Sequence, residues 1–553
     1  MQHTSKLWLR DLLLLTIIIS ILFGIFLGSF PLIPPDEARY SEIPREMVTT
    51  SQYITPHLNG VKYFEKPALF YWMQCTSIKL FGLSEWSMRL MNAFMGLLGC
   101  LIVYTSGRKL FDRRTGFLAS LILATTAIYF GVAHVVTLDM TLTTLLSCAL
   151  FSFILGTKTT KHRNYYMWAM YVFVALATMT KGLIGIVFPG IIIFFWILLF
   201  NKWREIKTYC IPTGILIFLL IAAPWHILVQ IKNPEFFQFY FIKQHFLRYL
   251  SSHVGHHMPI AVLPAILLLG WFPWIAFSIQ AINHNLPRSW QEFKQHEISI
   301  FLMLWPLLIF LFYSFSESLL VPYLLPIFPP LAILTANYFS KIWEQKFQRG
   351  ITIGFTIILI LSIIAATAVA NLHHFISSPN PEKTKITFYI ISLLIMFSAI
   401  YSYINYRRHG LSKAFSILII TMSLVFISLY YGAQQLDLKS IKPLTVKLMP
   451  LLKPNDEVAS YDTYYQDLPF YLRRRVTVVN WKSELSFGMQ HQDTSQWMID
   501  TQTFWKRWNS KNRIFMITHQ KTYIQLLKNS NKKMYFITKS GNNILVSNHR
   551  GHT

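Results

Sequence analysis

Charge is what this sequence lacks most. Of its 553 residues 13 % are Asp, Glu, Lys or Arg and 53 % are hydrophobic, whereas soluble domains carry about 25 % charged residues. A soluble fold, a disordered chain and a collagen-like chain are excluded on that balance. Cysteine is also scarce. Cys75, Cys100, Cys148 and Cys210 are the four present, all in or beside apolar runs and none in a CxxC pair, so neither a disulfide framework nor a metal knuckle is expected. No P-loop or G-x-G-x-x-G phosphate cradle occurs, which removes the usual signs of a nucleotide site. Acid is scarcer than base, 24 residues against 50, and the net charge is +26.

What is present is a series of apolar runs, each about the 20 residues a membrane crossing needs. Thirteen are expected, at 11–30, 90–107, 115–133, 139–156, 166–180, 183–200, 210–230, 258–282, 299–315, 321–339, 351–371, 386–405 and 413–431. Only Lys181 and Gly182 separate the fifth from the sixth. With the N-terminus inside, alternate loops collect Arg10, Arg108, Arg113, Arg114, Lys341, Arg407 and their neighbours, 20 basic residues against six acidic ones. The stretch from Gly432 to Thr553 holds 18 against eight. Positive-inside topology and a basic terminal domain therefore account for the charge, and nucleic acid is not needed as a partner.

The first run follows Lys6 and Arg10 as a signal peptide would, yet no A-x-A site follows it, so a retained anchor is expected. Thirteen crossings then put the last 120 or so residues outside. There the periodicity becomes that of a small α/β domain, with strands at Val458–Tyr461, Val476–Asn480, Arg513–Thr518, Met534–Thr538 and Ile544–Ser547 and helices near Asp467–Arg473 and Lys521–Asn529. The expected layout is a polytopic α-helical membrane domain, 1–431, followed by an extracytoplasmic α/β domain, 432–553. No internal repeat relates two halves of the membrane part, which argues against an inverted-repeat transporter.

Two outer loops are long, about 34–88 and 231–258. The first opens with Pro34-Pro35-Asp36-Glu37-Ala38-Arg39-Tyr40-Ser41-Glu42 at a membrane exit. Acids against a bilayer are costly unless paired or hydrated. The cluster is therefore either a functional site or an interfacial helix whose Asp36/Arg39 and Glu42/Glu46 positions face water. Downstream come Val61-Lys62-Tyr63-Phe64-Glu65-Lys66-Pro67 and an aromatic stretch ending in Tyr71-Trp72.

Read as P-D-E-x-R-Y-x-E-I-x-R-E-M and P-H-L-x-G-x-x-Y-F-E-K-P-x-x-x-Y-W, this loop resembles the GT-C glycosyltransferases of the aminoarabinose transferase type, relatives of the protein O-mannosyltransferases. Met179-Thr180-Lys181-Gly182 and Ala223-Pro224-Trp225 continue the resemblance. It implies transfer of 4-amino-4-deoxy-L-arabinose from undecaprenyl phosphate to lipid A phosphate at the outer face of a bacterial inner membrane, and with it resistance to cationic antimicrobial peptides. Undecaprenyl phosphate-linked sugar, lipid A and membrane lipids are the implied partners.

By motif, Asp36 and Asp139 resemble the two acids of the reaction centre, although either position also suits a helix cap. Arg39, Tyr40, Tyr63, Lys66, Lys181 and Tyr323 resemble the groups that hold donor and phosphate; for Lys181 the alternative is snorkelling to the interface. Glu65 and His245 resemble a pair holding a divalent metal, zinc or magnesium. No nucleotide is implied.

Two positions depart from the family pattern. Relatives carry a Lys in an S-x-K-L-P-x-Y-like segment, where this chain reads Ser316-Glu317-Ser318-Leu319-Leu320-Val321-Pro322-Tyr323, and a Glu-His pair where it reads Gln244-His245. A transferase acting on protein or on another lipid or glycan acceptor remains open on the residues alone, as does a flippase or transporter for lipid-linked sugars. The topology is directly testable: a reporter fused after Thr553 is expected to behave as extracytoplasmic and one placed near Arg408 as cytoplasmic. A cytoplasmic C-terminus would break the count of spans.

Overall fold

In the computed structural model, residues 1, 248–258, 260–261, 317–318, 346, 377, 438, 530–532 and 551–553 lie outside what is described, as do the side chains of 2–6, 245–247, 290 and 529. The chain forms two compact units. One comprises Met1–Leu27 and Arg89–Leu436, the other Gly28–Met88 and Asp437–Thr553. The division expected from chain order cuts once, near residue 432. Packing instead assigns the first long outer loop to the same unit as the C-terminal domain.

In the first unit, nine helices among the described residues are long and apolar enough to cross a membrane, or eleven if two bent pairs each count as one. The expected thirteen are not all of that kind. Arg163–Lys181 does not reach the same standard, and Ile184–Phe200 is a shorter apolar helix. Gly182, at φ +89°, ends the first of these after Lys181.

Both bends have local causes. Between Arg113–Ala124 and Ala127–Ala133 the axis turns by 66°. There the Thr125 and Thr126 hydroxyls donate to the carbonyls of Leu121 (2.7 Å) and Ile122 (2.8 Å), which bends helices by competing for their backbone acceptors. The indole of Trp274 donates to the carbonyl of Thr125. The second bend, 94° between Val262–Gly270 and Trp274–Asn285, falls at Pro273, which has no N–H to continue the ladder.

Leu138–Thr157 is the interior helix, buried on nearly all sides. Its Thr and Ser residues allow neighbours to approach closely: the Thr144 hydroxyl donates to the Met95 carbonyl at 2.8 Å. Opposite, Gly99 is required by space, because a Cβ there would lie 2.1 Å from the Tyr129 hydroxyl.

Among the described residues, all the strands lie in the second unit. A hairpin of β1 (His57–Leu58) and β2 (Val61–Lys62) lies in the first outer loop between helices Asp36–Thr50 and Leu69–Phe81. The C-terminal part adds β3 (Glu457–Tyr461), β4 (Thr477–Val479), β5 (Met498–Ile499), β6 (Ile514–His519), β7 (Tyr535–Ser540) and β8 (Asn543–Ser547). These six make one sheet in the order β5-β4-β3-β6-β8-β7. The first four run parallel, and β8 and β7 are antiparallel additions.

Five of those six strands match the alternating segments of the sequence. The two-residue β5 is too short to show a period. Helix Thr501–Trp508, unexpected from the sequence, packs Phe504, Trp505 and Trp508 against Ala459, Val479, Ile514 and Met516 as the domain core.

The hairpin is tied to this domain through its turn. Asn59 and Gly60 both have positive φ, +52° and +74°, as a type I′ turn demands and as Asn-Gly readily supplies. The Asn59 amide then acts as a backbone mimic: it donates to the Val476 carbonyl and accepts from the Val476 N–H, both at 2.9 Å. Gln492 repeats the pattern on the Lys62 N–H and the Gly60 carbonyl.

The entry to the C-terminal part is held by Asp467. Fully buried, it accepts from the Ser440 hydroxyl at 2.7 Å and the Ile441 N–H at 2.8 Å, while its second oxygen has no hydrogen bond among the described residues. Burial pushes this carboxyl up to about 6, against about 3.9 when unfolded. The folded state therefore binds the proton more tightly, and the stability this gives is present below about pH 4 and lost as pH rises to about 6. Asp467→Asn should remove this pH dependence, so thermal unfolding curves of variant and wild type should diverge in the variant's favour between pH 4 and 6. Parallel curves would mean that the carboxyl titrates at its ordinary value.

Candidate functional site

Each unit contributes a charged cluster built from residues that the sequence singles out. In the second unit the helix Asp36–Thr50 begins directly after Pro34-Pro35. Pro35 occupies the N-cap and Asp36 the first helical position, so the capping role considered for Asp36 is not the one it takes. Its carboxylate instead accepts from the guanidinium of Arg39, one turn on.

Arg39 is buried and bridges three groups. It donates to Asp36, to Glu484 and, at 3.1 Å, to the Tyr63 hydroxyl, and it lies against the Tyr40 and Tyr63 rings. Burial opposes its charge, but the carboxylates of Glu484 and Glu65 more than compensate, so the guanidinium is held charged more firmly than usual. Burial also pushes the Tyr40 and Tyr63 phenols well above their ordinary range. At neutral pH both are therefore intact O–H groups. Asp36 is the accessible member, its side chain 44 % exposed.

The rest of the helix contradicts the water-facing alternative. Glu42 is fully buried and takes both guanidinium donors of Arg45 at 2.6 Å. Glu46, also buried, receives the N–H of Gly60 at 3.0 and 3.1 Å. Burial and then the Glu42 charge raise the Glu46 carboxyl well above the carboxylate range. The second half of the first-loop motif thus fixes the helix to the hairpin turn.

Glu65 and Lys66 are half-buried just after β2, and the charge of Glu65 acts on Arg39, Tyr40, Tyr63 and Tyr71. For the expected Glu65–His245 metal pair, the His245 side chain lies outside the described residues. Among the described residues no group of three or more His, Cys, Asp or Glu gathers as a metal site would. Glu65 alone falls short of the roughly four ligands of zinc.

In the first unit, Asp139 stands in the first turn of Leu138–Thr157. The cap is Thr137, whose hydroxyl receives the Asp139 N–H and donates to the Asp139 carboxylate at 2.7 Å. Lys181 forms a buried ion pair with the same carboxylate. Its ammonium also sits 3.9 Å from the centre of the Tyr323 ring, so it does not snorkel. The structure thus brings together Asp139, Lys181 and Tyr323. Glu317 and Ser318, where the family pattern is broken, lie outside the described residues.

Sequence reasoning missed three participants. Glu484 is 445 residues from Arg39 and carries no local signal. Thr137 reads as an ordinary cap. Tyr71 stood in the quoted motif unassigned, yet its hydroxyl is buried with no hydrogen bond among the described residues.

Residues 65–228 match the family of dolichyl-phosphate-mannose-protein mannosyltransferases, and residues 444–548 match the aminoarabinose transferase C-terminal domain. Over 480 residues the chain is 28 % identical to an undecaprenyl phosphate-alpha-4-amino-4-deoxy-L-arabinose arabinosyl transferase of Pectobacterium carotovorum, a match covering 85 % of each chain. The transferase of that name from Aeromonas salmonicida is 31 % identical over 353 residues, 62 % of this chain and 63 % of that one. Among solved structures, ArnT from Cupriavidus metallidurans bound to undecaprenyl phosphate superposes with a TM-score of 0.85 at 26 % identity, over 97 % of this chain and 98 % of that chain.

Fold and matched regions together define a multi-span GT-C glycosyltransferase with a sheet-bearing C-terminal domain. Within that class the chain is similar over most of its length to the aminoarabinose transferases, which are related to the O-mannosyltransferases. Transferases with lipid-linked donors need no nucleotide cofactor.

Arg39 offers a direct test. Arg39→Ala should lower glycosyl transfer by roughly one to two decades, the cost of about 1.5–3 kcal/mol for a lost charge-assisted contact. Arg39→Lys should recover little, since an ammonium cannot span Asp36, Glu484 and Tyr63 at once. The measurement is transfer rate in membranes containing equal amounts of inserted protein; full activity of both variants would remove Arg39 from the site.

Proposed function

We propose that the chain transfers 4-amino-4-deoxy-L-arabinose from undecaprenyl phosphate to a phosphate of lipid A at the outer face of a bacterial inner membrane. The observation that carries the proposal is the end-to-end likeness to an ArnT structure bound to undecaprenyl phosphate. The acceptor oxygen attacks the anomeric carbon, and the bond to the lipid phosphate breaks on the opposite side. Negative charge grows on the leaving phosphate, so fixed cations and O–H donors lower the barrier most in the transition state. Arg39, Tyr40, Tyr63 and Lys66 are the proposed phosphate-holding groups, with Lys181 and Tyr323 beside Asp139 as the second cationic cluster.

The ion pair between Asp36 and Arg39 supports a positioning role for Asp36 over one as general base. A phosphate monoester has a second pKa of about 6 and is already an anion at neutral pH, whereas a hydroxyl acceptor would profit from a base. A divalent cation belongs to this proposal only as a group that Glu65 and His245 would share, and no step above draws on it. The product gains an ammonium and loses an ionisable phosphate oxygen, which weakens attraction for cationic peptides at the membrane surface.

Mass spectrometry of lipid A from cells with and without the protein tests the reading. Expected is an added aminopentose that disappears in Asp36→Asn, together with a wild-type pH–rate profile lacking an acid limb owed to a carboxylate base. Unchanged lipid A alongside a glycosylated protein would favour the protein acceptor.

A further inference from the structure

At the opposite, positively charged end of the first unit lies a cavity of about 1060 Å³ that the proposed reaction does not use. Four helices line it, and three of them grade from polar to apolar along one face, the fourth, Phe328–Ile342, bringing Ser340 and Lys341 to the mouth. On the first helix the lining residues are Arg10, Leu14 and Ile18, four apart and so stacked on one side, spanning about 12 Å at 1.5 Å per residue. Arg114, Phe117 and Leu121 repeat the gradient on Arg113–Ala124, and Ser416 and Ile420 on Leu411–Ala433. The cavity therefore has a charged mouth and an apolar length.

The charges at that mouth do not cancel. Asp11, with a side chain only 2 % exposed, is committed to Arg113 at 2.6 and 2.7 Å and to the Tyr104 hydroxyl at 3.0 Å. Arg108 adds a second cation 3.7 Å away. Glu344 is taken by Arg114 at 2.9 Å. Asp112 caps its helix through the Thr115 N–H and accepts from Ser340. With Arg108 included, five cations face the three acids, a surplus of two, and Arg10, 4.0 Å from the committed Asp11, and Lys341, also lining the cavity, are the cations outside the closer pairs. Arg10, Arg108, Arg113, Arg114 and Lys341 belong to the loops that the positive-inside pattern assigns to the cytoplasmic side.

We propose that this cavity is a binding site for an anionic phospholipid of the inner leaflet, its phosphate at Arg10 and Lys341 and an acyl chain along Leu14, Ile18, Leu121 and Ile420. Charge complementarity selects the headgroup. A neutral or zwitterionic lipid would fill the apolar length equally well and leave the surplus cations facing each other.

The test is native mass spectrometry of the purified full-length protein with phosphatidylglycerol, phosphatidylcholine of the same acyl chains, or undecaprenyl phosphate added in turn. Wild type should retain phosphatidylglycerol in clear preference to both. At roughly 1 kcal/mol per basic residue near a lipid phosphate, Arg10→Gln with Lys341→Gln should weaken that retention by about tenfold or more and leave glycosyl transfer unchanged. Equal retention of phosphatidylglycerol and phosphatidylcholine by wild type, which requires no variant, would overturn the proposal. Preferential retention of undecaprenyl phosphate would overturn it too, by giving the cavity to the polyprenyl lipid.

Discussion

A guanidinium taken out of water must keep its hydrogen bonds and find its counter-charge nearby, and Arg39 is the residue on which that requirement falls hardest in the second unit. Its partners come from three stretches of chain: Asp36 from its own helix, Tyr63 from just beyond the hairpin and Glu484 from the C-terminal domain. Meeting the requirement orients the first helical turn and presents the half-exposed Asp36 carboxylate. It also explains why the loop carries so much structure. A helix with Glu42, Arg45 and Glu46 all buried is stable only because those groups satisfy one another and the Gly60 N–H.

The two clusters follow a common design with different parts. In each, a carboxylate and a cation are paired beside a tyrosine ring: Asp36, Arg39 and Tyr63 in one, Asp139, Lys181 and Tyr323 in the other. The choice of cation fits the task. Arg39 spans several acceptors with its planar fork, whereas Lys181 needs one carboxylate and one ring face. A phosphate arriving beside either pair would meet a cation whose position is already fixed, so little reorganisation is left for the reaction step.

Local signals made the membrane helices, five of the six C-terminal strands and the first-loop motif legible in the sequence, because apolar runs, alternation and motif spacing are written within a few residues. Against the thirteen expected crossings, nine to eleven of the described helices are long and apolar enough, and the regular pattern is broken where local signals compete: Gly182 interrupts one apolar stretch, and Thr125 and Thr126 bend another. Asp36, Arg39 and Tyr63 could be singled out as a motif, but Glu484 could not, since nothing near Trp481-Lys482-Ser483 distinguishes that acid from any solvated one. The burial of Glu42 and Glu46 was equally hidden. A helix rich in charge ordinarily faces water, and only the partner groups brought in by tertiary structure reverse that expectation.

The unit that holds Arg39 is discontinuous, and this bears on the order in which the protein is made. Residues 28–88 emerge early from the ribosome, but Val476, the partner of Asn59, and Glu484 follow only after residues 89–436 have been synthesised. At roughly 5–20 residues per second the first loop waits on the order of twenty seconds to a minute, with its turn unclasped and its arginine lacking one of its acids. A chain whose synthesis stops short never completes this unit. Completion of the arginine cluster is thereby coupled to completion of translation, so that a prematurely terminated enzyme already in the membrane lacks one of the groups that hold its charged residues in place.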